Sequence, residues 1–223
     1  MKVHDELLSI DSQLKMPLMK LPIKMILVRL QTGVVMISPI PNLQQFKGEI
    51  DQFGKVTDIV APNLYHNLGI KDATETYPQA RLWGAKGYRK KLPNQNWYKE
   101  IDSQNWIHAE NLPLFPIDGM PKINEVDFIH KNSKTLIVTD LCFNHRDGKG
   151  FGNWIIFNMF GTYKRFAISK LFLKMVKDKK AFAESIQNIL ATDFDNIIVS
   201  HGVNIIGNGK EIFKRAAAER SII

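Results

Sequence analysis

Histidine and cysteine, the side chains most telling of metal ligation and nucleophilic chemistry, are few in this sequence. Its 223 residues include 6 histidines and 1 cysteine. The strand-like run Asn196 to Ser200 leads directly into His201-Gly202. His4, His108 and His130 have no pattern around them and read as surface or packing residues. Cys142 would need a nearby base and a lowered pKa to act as a nucleophile, and a buried, inert thiol is the expectation. Neither GxxxxGK[ST] nor GxGxxG occurs, and there is no GxSxG elbow. The glycine-rich stretch Gly148-Lys149-Gly150-Phe151-Gly152 lacks the strand-to-helix context of a phosphate cradle.

The elements that must position these residues follow from periodicity. Lys24 to Pro39 reads as a hairpin, with β-rich runs either side of Gln31-Thr32-Gly33. Asn42 begins a helix through Phe53, with Leu43, Phe46, Ile50 and Phe53 at helical spacing, and Gly54 ends it. Val56 to Ala61 is a buried strand, Lys71 to Tyr77 a short helix and Ala80 to Gly84 a further strand, together a βαβ unit. Pro93 to Pro121 is loop-rich and then apolar. Glu125 to Ile129 and Thr135 to Thr139 form two strands about a turn at Lys131 to Lys134. From Phe151 to about Leu190 the pattern is helical, with a break at Gly161. Asn196 to Ser200 is the last strand and Gly209 to Arg220 the closing helix.

Composition fits one soluble domain spanning residues 1–223, since 44% hydrophobic and 23% charged residues are ordinary values. The net charge of +8 and pI near 9.5 favour acidic partners, or simply a lysine-rich surface. A single cysteine rules out an intrachain disulfide and fits a reducing, cytoplasmic setting. Nothing at the N-terminus reads as a secretory signal, and no apolar run approaches the ~20 residues of a membrane-spanning helix. Nucleic acid is an unlikely partner, because Arg89-Lys90-Lys91 reads as a solvated helix face.

Four segments in order carry a resemblance: Gly33 to Pro39; Ile59 to His66; Glu125 to His130 with Thr135 to Leu141; and Val199 to Gly202. Together they resemble a domain-of-unknown-function family related to the metallo-β-lactamase superfamily, over about Lys24 to Lys214. The resemblance implies an αββα sandwich of two mixed sheets flanked by helices, with metal ligands on loops at one end of the strands. The superfamily's usual HxHxDH loop corresponds to Pro62-Asn63-Leu64-Tyr65-His66-Asn67-Leu68, where His66 alone is a ligand of the usual kind. The stretch Ile117 to Pro121 lacks the histidine expected before the central strands. Asp140 resembles the metal-bridging aspartate and His201 the histidine of the terminal HG motif.

The resemblance thus implies a degenerate site in a hydrolase-like protein. His66, Asp140 and His201 would hold at most one zinc, iron or manganese ion, with His145 in reserve. With most ligands missing, a metal-free small-molecule pocket is the competing expectation, in which Asn63, Tyr65, Asn67 and His145 contact the ligand. A non-catalytic scaffold is the other alternative: the aromatic segment Phe151 to Val176 and the lysines after it would meet a membrane surface or a protein partner. In the resembled fold that segment, within a helical insertion at about 151–190, is expected as two helices meeting near Gly161. Trp154 and Phe157 would then lie partly over the pocket, with Lys174, Lys177 and Lys180 in solvent.

Overall fold

The structure, a computed structural model, describes residues 2–17, 19–146 and 150–223. Strands β1 (Lys2–His4), β2 (Leu7–Lys15), β3 (Lys20–Leu30) and β4 (Gly33–Ile37) pair antiparallel in succession. Helix α1 (Lys47–Phe53), entered through a 3-10 turn at Leu43–Phe46, leads to β5 (Val56–Ala61). Helix α2 (Ile70–Thr76), β6 (Arg81–Gly84), α3 (Tyr88–Lys91) and β7 (Trp97–Glu100) then extend the sheet with parallel strands. A second sheet begins with β8 (Leu114–Pro116), β9 (Val126–His130) and β10 (Thr135–Val138). After β11 (Cys142–Asn144), α4 (Phe151–Phe160), β12 (Phe166–Ile168), α5 (Lys170–Leu173) and α6 (Lys179–Leu190), strand β13 (Asn196–Val199) completes it, and α7 (Gly209–Ala218) closes the chain. The sheet orders are β1-β2-β3-β4-β5-β6-β7 and β13-β10-β9-β8, with β11 and β12 as a small separate pair.

Strand alternation builds the layers. Side chains on a strand point to opposite faces in turn, and here both faces are apolar. In β3 and β4, Ile26, Val28, Val35 and Ile37 face the second sheet, meeting Phe128, Ile137 and Ile198. Met25, Leu27, Val34 and Met36 face outward, onto Leu43, Ile50 and Ile70 of the helical layer. On the second sheet Leu136, Val138, Ile197 and Val199 pack outward against Phe182 and Ile186 of α6 and Phe213 of α7. Burial on both faces is why these strands read as near-continuous apolar runs. The result is the expected αββα sandwich.

Two expectations need correction. The stretch after Gly161 is not a second helix meeting the first. Gly161 ends α4 at φ 66, and the chain then forms β12, whose Phe166, Ala167 and Ile168 pair with Asn144, Phe143 and Cys142. Ala167 and Ile168 are buried by that pairing, so tertiary context overrides the local helical pattern. The hairpin also begins earlier, at Lys20, and pairs with a long β2. Gly148 and Lys149 of the glycine-rich stretch lie outside the described residues.

Candidate metal centre

Parallel pairing brings Asp140 and His201 together across the sequence. Val138 of β10 is in register with Val199 of β13, and each of the two residues lies two positions beyond its register partner. The loop after β5, at the same end of the sandwich, supplies His66. His66 Nε2 lies 3.4 Å from Asp140 Oδ2, and His201 Nε2 lies 3.1 Å from Asp140 Oδ1. The two Nε2 atoms are 3.3 Å apart. Among the described residues these three form the one group of His, Cys, Asp or Glu close enough to share an ion. Donor atoms about 2.0–2.1 Å from a tetrahedral centre lie about 3.3–3.4 Å from one another. The two Nε2 atoms match such an edge, each ring faces a different oxygen of Asp140, and the three side chains are close enough to share one ion.

Each of the three is held from behind. His201 Nδ1 lies 2.8 Å from the Pro22 carbonyl, which can only accept, so Nδ1 carries the hydrogen and the Nε2 lone pair of the neutral ring is free to ligate. His66 Nδ1 is 2.6 Å from Ser38 Oγ. Ser38 adopts φ 56 at the end of β4. Asp140 sits on a loop cradled by Glu125, whose carboxylate accepts from the backbone N–H groups of Thr139, Asp140 and Leu141 at 3.0, 3.1 and 3.1 Å. Asn63 links the two loops. Its Nδ2 donates to Thr139 Oγ1 and Asp140 Oδ2, both at 2.9 Å, and its Oδ1 accepts from the N–H groups of Tyr65 and His66. The His201 loop is zipped to β11: Asn144 N–H donates to the His201 carbonyl at 3.0 Å, and a Cβ on Gly202 would lie 2.1 Å from the Asn144 carbonyl oxygen.

Electrostatics follow from this packing. Burial would raise the Asp140 pKa, but the charges and hydrogen bonds of His66 and His201 outweigh it and hold the carboxyl below its ordinary range. Burial opposes protonation of His66, yet Asp140 raises its pKa overall. Asp127, fully buried beside Glu125, is pushed well above the usual carboxyl range by burial and by the Glu125 charge.

The remaining residues singled out by sequence fall in several places. Asn63, expected at a ligand-contacting wall, is fully buried and acts as the hydrogen-bonded link behind the trio. Tyr65 is exposed and Asn67 half-buried, and both line a cavity of about 130 Å³ with His66, Asp140 and His201. His145 does not join the trio. Its ring stacks on Phe157 at 3.7 Å, and burial lowers its pKa to about 3. Phe157 is buried beneath His145 and borders a separate cavity of about 760 Å³ across the hairpin, while Trp154 is exposed. Cys142 is buried as expected, and burial and then Asp127 raise its pKa. His108 and His130 are buried packing residues, and His108 bonds Asp58. Lys174, Lys177 and Lys180 are in solvent.

The family model described as "Domain of unknown function (DUF4336)" matches residues 4–147, well over half of the chain. The chain belongs to the DUF4336 family. No curated protein matches its sequence. Among solved structures this DUF4336 chain is similar to a metallo-β-lactamase from Pontibacter korlensis, at 11% identity and TM-score 0.69, with 98% of this chain and 96% of that one covered. It is similar to one from Erythrobacter litoralis with β-mercaptoethanol in the active site, at 14% identity and TM-score 0.65, covering 98% and 95%. It is also similar to one from Hirschia baltica, at 11% identity and TM-score 0.63, covering 98% and 95%. At such identities the likeness is one of fold: the DUF4336 chain has the metallo-β-lactamase fold, and its chemistry rests on its own residues.

Residues that sequence reasoning missed are the supports. Ser38, Pro22, Glu125 and Asp127 carry no motif. The one legible signal is a pair of acids, Glu125 and Asp127, flanking Val126 in an otherwise apolar strand.

Proposed function

We propose that this DUF4336 chain is a metal-dependent hydrolase that works with a single zinc, iron or manganese ion held by His66, Asp140 and His201. The convergence of the three side chains carries the reading: the two ring Nε2 atoms are 3.3 Å apart, the edge of a tetrahedral site, and each lies 3.1–3.4 Å from one oxygen of the Asp140 carboxylate. Two histidines and a carboxylate suit zinc or iron. When bound, the ion supplies Lewis acidity to polarise a substrate carbonyl or phosphoryl oxygen. The chain supplies positioning. The Pro22 carbonyl fixes the His201 tautomer, Ser38 orients His66, and Glu125 with Asn63 anchors Asp140. Leu14, Leu21, Ile23 and Ile40 wall the adjoining cavity of about 130 Å³, which favours a small apolar substrate group.

One observation favours a metal-free reading as well. Asp140 lies within hydrogen-bonding reach of both rings, so a His–Asp–His cluster can persist without an ion and bind a polar ligand without hydrolysing it. Metal analysis of protein purified without added metal separates the two. About one ion per chain is expected, with its loss, and loss of any ester, amide or phosphodiester hydrolysis, in His201→Ala. Wild-type protein that carries no ion and takes up none from added zinc would end the metallohydrolase reading and leave the metal-free cluster.

A further inference from the structure

Helix α4 turns its apolar stripe the wrong way for a soluble protein. Residues at i, i+3, i+4, i+7 and i+8 share one helix face, which normally faces the core. In α4 that face is Phe151, Trp154, Ile155, Asn158 and Met159, and all five are exposed. Phe151 retains 77%, Trp154 48% and Met159 68% of full exposure. The opposite side anchors the helix through Phe157, which is 1% exposed under His145.

Two neighbouring elements that contact α4 carry exposed apolar side chains of their own. Helix α5 packs against α4 and adds exposed Leu171. Lys20 N–H donates to Asn153 Oδ1, which brings the tip of the β2–β3 hairpin, with exposed Met16, to the same helix. Charge is one-sided. From Gly150 to Lys177 the sequence holds Lys164, Arg165, Lys170, Lys174 and Lys177 and no aspartate or glutamate. Arg165 pairs with Glu219. Among the described residues the four lysines have no acidic partner.

We propose that this face docks on an anionic lipid surface, with the α4 stripe at the headgroup boundary and the lysines against the lipid charges. An apolar stripe rich in Trp and Phe, rimmed by cations, is the composition of a helix that lies in the interface plane. No helix among the described residues is long and apolar enough to cross a membrane, so the surface rests on the bilayer. The excess of cations, four of them with no acidic partner among the described residues, favours phospholipid charge over an ordinary mixed-charge protein surface, and the stripe leaves a large apolar patch that a monomer would otherwise expose to water. This inference is independent of the metal reading.

Tryptophan fluorescence gives a site-specific test, because Trp83, Trp97 and Trp106 are buried and Trp154 alone is exposed. The full chain is mixed with phosphatidylcholine vesicles with or without phosphatidylglycerol, and with brominated versions of both. Sedimentation with the anionic vesicles, quenching of Trp154 by brominated lipid, and weakening of both by raised salt are expected. Phe151→Ser with Trp154→Ser, and separately Lys170→Glu with Lys174→Glu, should each weaken binding about tenfold or more while thermal stability and metal content are retained. Equal binding to neutral vesicles would overturn the charge component. Lack of binding would overturn the proposal, and a concentration-dependent dimer lost in Phe151→Ser with Trp154→Ser would assign the face to a second copy instead.

Discussion

Ser38 holds φ 56, a left-handed conformation that costs a residue with a β-carbon about 1–2 kcal/mol. What that position gains is a hydroxyl 2.6 Å from His66 Nδ1. Glycine tolerates the same backbone without a hydroxyl. Ser38→Gly is therefore expected to leave thermal stability unchanged or slightly higher while weakening metal affinity about 10–100-fold, the usual cost of losing a partner that orients a ligand. Metal titration beside a thermal melt would check this, and unchanged affinity would mean that His66 needs no such support. Position 38 also marks the limit of what sequence carries at this scale. Asp140 and His201 were legible through resemblance, because the strand ends that carry them match the superfamily's aspartate and HG histidine in order. The hydroxyl, the Pro22 carbonyl and the buried Glu125–Asp127 pair were not, because each acts through a contact made only after distant segments pack.

At the scale of elements, Asp58 ties β5 to its neighbours. Its side chain is fully buried and accepts from Arg81 Nε at 2.8 Å, Arg81 Nη2 at 2.8 Å and Trp83 Nε1 at 2.7 Å, both residues on β6, and it lies 3.0 Å from His108 Nε2. Burial would raise the Asp58 pKa, but hydrogen bonds from His108, Arg81 and Trp83 hold it well below the ordinary carboxyl range. A carboxyl whose pKa is lower folded than unfolded contributes stability fully above the unfolded value of about 3.9, and loses it as pH falls towards the folded one. Asp58→Asn should cost about 3 kcal/mol or more at pH 7, as breaking a buried charged cluster does. The gap from wild type should narrow as pH falls from about 5 to 3. Denaturant melts at several pH values would measure it, and a gap constant down to pH 3 would contradict the lowered pKa. The elements themselves were largely legible: the β3–β4 hairpin, the β5–α2–β6 unit and the β9–β10 pair follow from alternation and turn residues. Strand β2 was not singled out, because only Leu7 to Ile10 are buried while Asp11 to Lys15 alternate between half-buried and exposed. Strand β12 was read as helix because its pairing with β11 leaves no periodic mark in three residues.

At the scale of the whole molecule, periodicity alone left a doubly wound sheet as open as two packed sheets, since strands and helices alternate in both. Resemblance in four ordered segments favoured the sandwich, and the interface of Ile26, Val28, Val35 and Ile37 against Phe128, Ile137 and Ile198 is what makes it one. That architecture gives the candidate metal a structural consequence. His66 follows β5 in the seven-stranded sheet, whereas Asp140 and His201 follow β10 and β13 in the four-stranded one. An ion held by all three therefore cross-links the two sheets at one end of the sandwich. The unfolded chain cannot hold three ligands so far apart in sequence, so binding favours the folded state by mass action. At an ion concentration about a hundredfold above the dissociation constant, the gain is about 2.7 kcal/mol. For a chain of this size each kcal/mol shifts the melting temperature by about 2–4 °C, so zinc-loaded protein should melt about 5–10 °C above chelator-treated protein. In His201→Ala the two curves should nearly coincide, because the remaining pair of ligands binds too weakly to matter. An equal shift in wild type and His201→Ala would place the stabilising ion elsewhere, and the cross-link between the sheets would then rest on packing alone.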